Sequence, residues 1–182
     1  MYKRQGDAKG IFPGRVVWTH APGAAVWEKG KGFWFEDCWN NQEDADWLLS
    51  QSLLSLTGEK KSKNAWKALF VYFNRQHGKG KQGYKKGEKI SIKINQNNTF
   101  SHEDSEQLNA SPHLTLALLR SLVYDGGVPQ EQITVFDASR FITDALYHKC
   151  YAEFPNVIYL DNEGGKGRTK SCLLYTSPSP RD

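Results

Sequence analysis

The sequence contains few cysteines and no long apolar run. Its three cysteines, Cys38, Cys150 and Cys172, form no CxxC pair and no Cys/His cluster. This spacing excludes a zinc knuckle or an iron–sulfur site built within this stretch, and it provides no disulfide framework. Because no apolar run approaches the roughly 20 residues that span a bilayer, we predict no membrane-spanning helix. The localisation stays open, since a signal peptide could precede this stretch.

Both ends of the chain read as translated library adapter. Residues 172–182, CLLYTSPSPRD, correspond to one reading frame of a transposase-type adapter, and residues 1–5, MYKRQ, are read from its complementary strand. The alternative is a basic leader and a Ser/Pro-rich tail. We exclude both segments from the fold prediction and expect residues 6–171 to form a single truncated α/β domain, the N-terminal part of a larger one.

The excess of positive charge is also small. The chain has 24 basic and 20 acidic side chains and a net charge of +4; without the four charged adapter residues the numbers become 21 and 19, which leaves +2. Such a weak excess does not favour a nucleic-acid partner. The Gly- and Lys-rich run 76–89 is predicted to be an exposed loop, which either meets an anion or is simply a solvated surface.

The first half of the chain is rich in aromatic residues and holds all six tryptophans. Residues 15–20, RVVWTH, predict a short strand. Asn41, followed by acidic residues, predicts a helix that ends at Gly58, and Asn64 is expected to cap a second helix over 65–75. The aromatic segment 33–39 either packs in the core or offers a stacking platform for a sugar or a partner.

The second half of the chain is more regular. Strands are predicted for 89–95 (KISIKIN), 132–137 (QITVFD) and 157–161 (VIYLD). Helices are predicted between them, from the Ser111–Pro112 cap to Tyr124 and over 143–154. This alternation predicts a βαβαβ unit with right-handed crossovers, in a three-layer α/β fold with a mostly parallel sheet.

Polar residues follow each predicted strand. Ligands of parallel sheets bind at the carboxyl ends of the strands, so these residues are the site candidates. A helix start after Arg140 and two cations in the Gly loop 163–168 favour a small polar or anionic ligand. The candidates are Lys93, Asn95, Asn97, Ser111, Asp137, Ser139, Arg140 and Asp161.

Each candidate taken alone also has a structural interpretation. Asp137 or Ser139 would cap the following helix, and Asn95 and Asn97 would form turns. His102 and His113 lack the spacing of metal ligands, so we predict no metal site.

Five blocks of sequence carry a resemblance to a known family. They are GIFPGRVVWTHAPGA (10–24), GFWFEDCWNNQEDAD (32–46), GEKISIKINQNN (87–98), ASPHLTLALLRSLV (110–123) and ITVFDASRFITDALYHKCYAEFPNV (133–157). Over nearly all of 6–171 the chain resembles the bacterial family named domain of unknown function 362. That family's recurring Lys–Asn strand end, Ser/Thr–Pro helix start and Asp-containing loop correspond here to Lys93 with Asn95, Ser111 with Pro112, and Asp137 with Ser139.

The resemblance implies a redox-linked enzyme, because some relatives are fused to ferredoxin-like modules that bind iron–sulfur clusters. The cofactor is left open: a cluster would lie in sequence outside this stretch. The competing hypothesis is a non-catalytic ligand- or glycan-binding module that uses the aromatic first half.

Overall fold

The structure, a computed structural model, describes residues 6–97 and 99–172. The predicted adapter residues 1–5 and 173–182 lie outside the described residues. None of the helices in the described part is both long and apolar enough to cross a bilayer. The α-helices are α1 (Gln42–Thr57), α2 (Ser62–Gln76), α3 (Pro112–Arg120) and α4 (Asp144–Glu153), and the strands are β1 (Ile90–Lys93), β2 (Ile133–Asp137), β3 (Ile158–Asp161) and β4 (Thr169–Lys170). A π-helix, Ser121–Asp125, directly follows α3, and a short 3-10 helix, Gln130–Gln132, precedes β2.

The four strands form one parallel sheet in the order β1-β2-β3-β4. The register pairs Lys93 with Phe136 and Asp137 with Asp161, so the carboxyl ends of β1, β2 and β3 lie side by side. The α/β class, the parallel sheet and the βαβαβ unit are therefore confirmed. The short strand β4, which was not predicted, pairs with the end of β3 after the Gly loop.

Both crossover helices lie on the same face of the sheet. Helix α3 contacts α4 and α1, and α1 contacts α2. Right-handed crossovers between strands in sequential order place their helices on one side. The crossover helices α3 and α4 therefore cover one face of the parallel sheet.

The main core lies between this sheet face and the two crossover helices. Ile133, Val135 and Tyr159 alternate along β2 and β3 and are almost fully buried, together with Leu119 of α3 and Leu146 of α4. The intervening strand residues are more exposed, as the period of two in a strand requires. Burial on one face fixes the register and hence the positions of the strand ends.

The helix starts follow the predicted caps in two of three cases. Asn41 accepts hydrogen bonds from the first turn of α1, and Ser111 accepts one from Leu114 N at the start of α3. The helix predicted over 65–75 is present as α2, but its predicted cap was wrong: Lys61, without a side-chain cap, precedes the helix, and Asn64 lies in its first turn. A helix starts where tertiary contacts allow it, and a cap contributes only about 1 kcal/mol.

The predicted strand over 15–20 is wrong. These residues form neither a helix nor a strand, and Val16 and Trp18 are 91% and 81% exposed. A β-like sequence becomes a strand only where another strand pairs with it, and the register shows none beside this segment among the described residues.

Candidate functional site

Asp137 connects the loops that follow β1 and β2. The carboxylate is 2% exposed, and its Oδ2 accepts a hydrogen bond from Gln96 N at 3.0 Å and lies 3.4 Å from Lys93 Nζ. Its Oδ1 accepts hydrogen bonds from Ser139 N and Ser139 Oγ at 3.1 and 3.0 Å. Asp137 therefore clamps one loop to the other, instead of capping α4.

The hydrogen bonds and Lys93 keep Asp137 ionised. Burial by itself raises the pKa of this carboxyl, but the N–H donors of Gln96 and Ser139, the Ser139 hydroxyl and the charge of Lys93 together lower the pKa below its usual value. A buried carboxylate with several donors is stable only while those donors stay in place. The clamp and its charge therefore depend on each other.

Asp161 has the same role at the end of β3. This side chain is fully buried; its Oδ1 accepts hydrogen bonds from Glu163 N and Gly164 N, and its Oδ2 accepts one from Ile142 N. His102 Nε2 lies 2.9 Å from the same Oδ2. Asp161 thus organises the loops around β3 and fixes one histidine ring, and its carboxylate does not face solvent.

The start of α4 is already occupied by an acidic side chain. Asp104 Oδ1 accepts a hydrogen bond from Ala145 N at 2.9 Å, and Asp144 N donates to His102 O at 2.7 Å. A carboxylate at a helix N-terminus satisfies the free N–H groups and the helix dipole. The expectation that this helix start receives an anionic ligand is therefore wrong.

The exposed portion of the site is a group of four side chains, which we call the rim cluster. Lys93 Nζ donates to Asn95 Oδ1 at 3.2 Å, and Asn95 Nδ2 donates to Asn97 Oδ1 at 3.0 Å. Arg140 Nε donates to Asn97 O at 2.9 Å, and its guanidinium lies over the Phe100 ring. The rim cluster, Lys93, Asn95, Asn97 and Arg140, thus connects the ends of β1 and β2.

The two cations of the Gly loop 163–168, Lys166 and Arg168, form ion pairs with Asp144 and not with the rim cluster. The Arg168 side chain is fully buried and donates to Ile142 O and Asp144 Oδ1, with its guanidinium 4.1 Å from the centre of the Tyr147 ring. Lys166 Nζ lies 3.4 Å from Asp144 Oδ2. The prediction that both cations meet a ligand is therefore wrong for Arg168, whereas the Lys166 side chain is 58% exposed beside Asp144.

The structure brings together six of the eight predicted residues. The rim cluster, Asp137 and Ser139 share contacts, whereas Asp161 belongs to the neighbouring loops and Ser111 is used as the cap of α3. Sequence reasoning missed Asp104 and the pairing of His102 with Asp161, for which no local signal exists. It also missed Gln96, which is fully buried with no hydrogen-bond partner for its side-chain amide among the described residues.

A second group of polar residues lies beside the aromatic segment. His113 Nε2 lies 2.9 Å from Asp37 Oδ1, and Lys149 Nζ donates to the same oxygen at 2.5 Å. The Lys149 hydrogen bond lowers the pKa of Asp37, while burial, together with the charge of Lys149, lowers the pKa of His113. His113 is therefore neutral at pH 7, and Nε2 is the nitrogen that donates to the carboxylate.

Comparisons with known proteins identify no relative of this chain. No protein-family model, no curated protein and no solved structure matches the chain. The fold is therefore described by its strand pairing and burial alone.

Proposed function

We propose that the protein binds a small polar or anionic molecule at the rim cluster. The observation that carries this proposal is the Asp137 clamp, which ties the end of β1 to the loop after β2 by hydrogen bonds to Gln96 N and Ser139 N. Side chains that are exposed on clamped loops lose little entropy when a ligand binds. The rim cluster therefore has the fixed geometry that a binding site needs.

The charge of the rim cluster supports an anionic or polar ligand. Lys93 neutralises Asp137, so Arg140 contributes a further positive charge. Its Nε and Nη1 donate to Asn97 O and Ser139 O, and a guanidinium has five N–H donors, so donors remain for an acceptor outside the protein. The amides of Asn95 and Asn97 add donors and acceptors for an uncharged polar group.

The resemblance to the family of domain of unknown function 362 extends this proposal to a redox-linked enzyme. The electron carrier would come from outside the described residues, as the resemblance implies. The redox function is proposed only from the resemblance to this family, whereas ligand binding is proposed from the geometry of the rim cluster.

The direct test is titration of the protein with inorganic phosphate and with succinate at low ionic strength, followed by amide NMR shifts. We expect saturable chemical-shift changes of the backbone amides near Gln96 and near Arg140. Arg140→Ala should weaken binding about tenfold, which is the contribution of one charge-assisted hydrogen bond. The matched control is Arg75→Ala, which removes an exposed arginine at the end of α2.

Two results would contradict the proposal. One is that neither anion produces saturable shifts at the rim cluster in a protein that melts cooperatively. The other is that Arg75→Ala weakens binding as much as Arg140→Ala, which would indicate only a general effect of net charge.

A further inference from the structure

The positive charge of the chain is concentrated in residues 59–89, which contain α2 and the loop that follows it. Of the 21 basic and 19 acidic side chains in residues 6–171, ten basic and two acidic ones lie in this region, so the remainder carries 11 and 17. The region therefore has a net charge of +8 and the remainder one of −6. The small net charge of the whole chain conceals this separation, and a basic face of this kind is typical of proteins that bind polyanions.

The ten basic side chains of residues 59–89, which we call the basic surface, are available to a partner. All ten belong to exposed residues, and among the described residues only Lys79 forms an ion pair, with Glu88. Nine positive charges thus have no acidic partner in the described part of the chain. A polyanion that neutralises such charges releases its own condensed counterions, which favours binding.

The loop folds back along α2, so basic residues from both segments share one surface. Asn74, a buried residue of α2, donates from Nδ2 to the backbone oxygens of residues 82 and 83, at 3.0 and 3.1 Å. One turn earlier on the helix, the rings of Phe70 and Tyr84 lie 5.6 Å apart. The loop therefore runs from the end of α2 back towards its start.

A groove of about 500 Å³ lies between α2, this loop and the π-helix that follows α3. Lys63 and Lys67 line it, and because they are four residues apart they lie on the same side of α2. Tyr124 of the π-helix also lines the groove and is 66% exposed. Asp125 is the one acidic residue in the lining, so the two lysines leave the groove with a net positive charge.

We propose that this groove, with the basic surface around it, binds single-stranded nucleic acid. Phosphates contact Lys63 and Lys67, and a base stacks on the exposed ring of Tyr124. Proteins that bind single strands without reading their sequence combine a positively charged groove with aromatic rings on which bases stack. The groove shares no residue with the rim cluster, and this proposal does not depend on the function proposed there.

The exposed aromatic ring favours a single strand over a duplex or a membrane. The bases of a duplex are stacked on one another and present only their edges, so Tyr124 would find no base face to contact. A membrane attracts polybasic segments through its surface charge, but its headgroups have no aromatic face that could stack inside a groove.

The test measures the fluorescence anisotropy of labelled oligonucleotides of about 12 nucleotides, which is within the range of lengths that single-strand binding sites cover. An RNA, the DNA of the same sequence and the corresponding DNA duplex are compared at several salt concentrations. We expect both single strands to bind at low salt and to dissociate as the salt concentration rises, because the contacts are made mainly to phosphates.

Lysine variants assign the charge effect to the groove. Lys63→Gln combined with Lys67→Gln should weaken single-strand binding about tenfold and reduce the slope of log affinity against log salt by about 0.7 for each lysine. The matched control, Lys9→Gln combined with Lys29→Gln, removes the same charge at exposed positions outside the basic surface and should change the affinity little.

Tyrosine variants separate stacking from charge. Tyr124→Leu should weaken binding of the single strands about tenfold, the contribution of one stacked base, and should leave duplex binding unchanged. Tyr124→Phe keeps the ring and should bind like the wild type, although it loses the hydrogen bond from Tyr124 Oη to Glu153.

Each of three outcomes would overturn the proposal. The first is equal weakening by the two pairs of lysine substitutions, which would indicate only a general effect of net charge. The second is unchanged single-strand binding in a folded Tyr124→Leu variant. The third is binding of vesicles that contain phosphatidylserine without binding of either single strand. A thermal melt of every variant establishes that it is folded before its affinity is compared.

Discussion

Residues 6–41 and residues 90–170 differ in the contacts that stabilise them. The first segment contains turns and one isolated bridge, Ala25 to Asn40, and contributes nothing to the main core cluster. Hydrogen bonds such as Arg15 Nη1 to Ser55 O and Gly10 N to Tyr72 Oη attach it to the helices. The second region buries alternate residues of its strands. Large apolar side chains stabilise a protein in proportion to the surface they bury, and Val16 and Trp18 of the first segment bury little.

The strongest test of this difference is to remove a buried side chain of the second region. Leu119 is fully buried in α3, so Leu119→Ala should lower the free energy of unfolding by about 4 kcal/mol, through lost burial and the cavity left behind. Urea unfolding measures the change. A loss no larger than that of Trp18→Ala, at an exposed position, would mean that the main core does not carry the stability.

The second largest effect is expected at the Asp137 clamp. Asp137→Ala leaves Gln96 N, Ser139 N and the Lys93 charge without their acceptor, and should cost about 3 kcal/mol. Asp137→Asn keeps the volume and is the matched control for packing. If urea unfolding finds both variants as stable as wild type, the carboxylate does not clamp the loops.

The clamp also predicts a pH dependence. Since hydrogen bonding lowers the pKa of Asp137 in the folded state, its stabilisation is fully present above the unfolded pKa of about 3.9 and is lost as the pH falls through the lower folded pKa. The stability difference between wild type and Asp137→Asn should therefore shrink as the pH falls below about 4. Urea titrations at several pH values measure this difference, and a constant value down to about pH 2 would be inconsistent with the clamp.

A smaller effect is expected where α3 is linked to its neighbours. Arg120 donates to Glu153 of α4 at 2.8 Å and to Asp46 of α1 at 2.7 Å, with a side chain that is 33% exposed. Arg120→Ala should cost about 1 kcal/mol, because partial solvation weakens ion pairs. Lys31→Ala, which breaks an exposed pair with Glu28, should cost almost nothing in the same urea assay.

The smallest effect is expected in the aromatic first segment. Trp18 is 81% exposed and stacks only on His20 among the described residues, so Trp18→Ala should change stability by less than about 0.5 kcal/mol. A loss of several kcal/mol in urea unfolding would show that the first segment is covered in solution. That result would remove the contrast between the two regions.

Local patterns were sufficient to predict the strands β1 to β3, the helices between them and the polar residues at the strand ends. Alternating Ile residues, the Ser111–Pro112 start and strands that end in Asp137 and Asp161 are short-range signals, and the structure has each element near its predicted place. The convergence of Lys93, Asn95, Asn97 and Arg140 followed from the rule that parallel strands end at one edge.

The remaining features depend on contacts between distant residues. Asp104 at the start of α4 and Asp37 beside His113 lie 41 and 76 residues from their partners. Lys166 and Arg168 of the Gly loop were predicted to meet a ligand. Nothing in the local sequence around Asp144 indicates that its carboxylate pairs with them. Residues 15–20 have strand composition, and only the absence of a neighbouring strand in the described fold decides their conformation.

The two buried aspartates make irregular segments behave as extensions of the sheet. Asp137 and Asp161 are register partners, and between them they accept the amide protons of Gln96, Ser139 and Gly164. The Gln96 amide is held by a carboxylate of the neighbouring strand, so it opens when β1 and β2 separate, whereas Ser139 and Gly164 are bound by aspartates two and three residues before them. In deuterium oxide, slow exchange should therefore extend beyond Lys93, the last residue of β1, to Gln96.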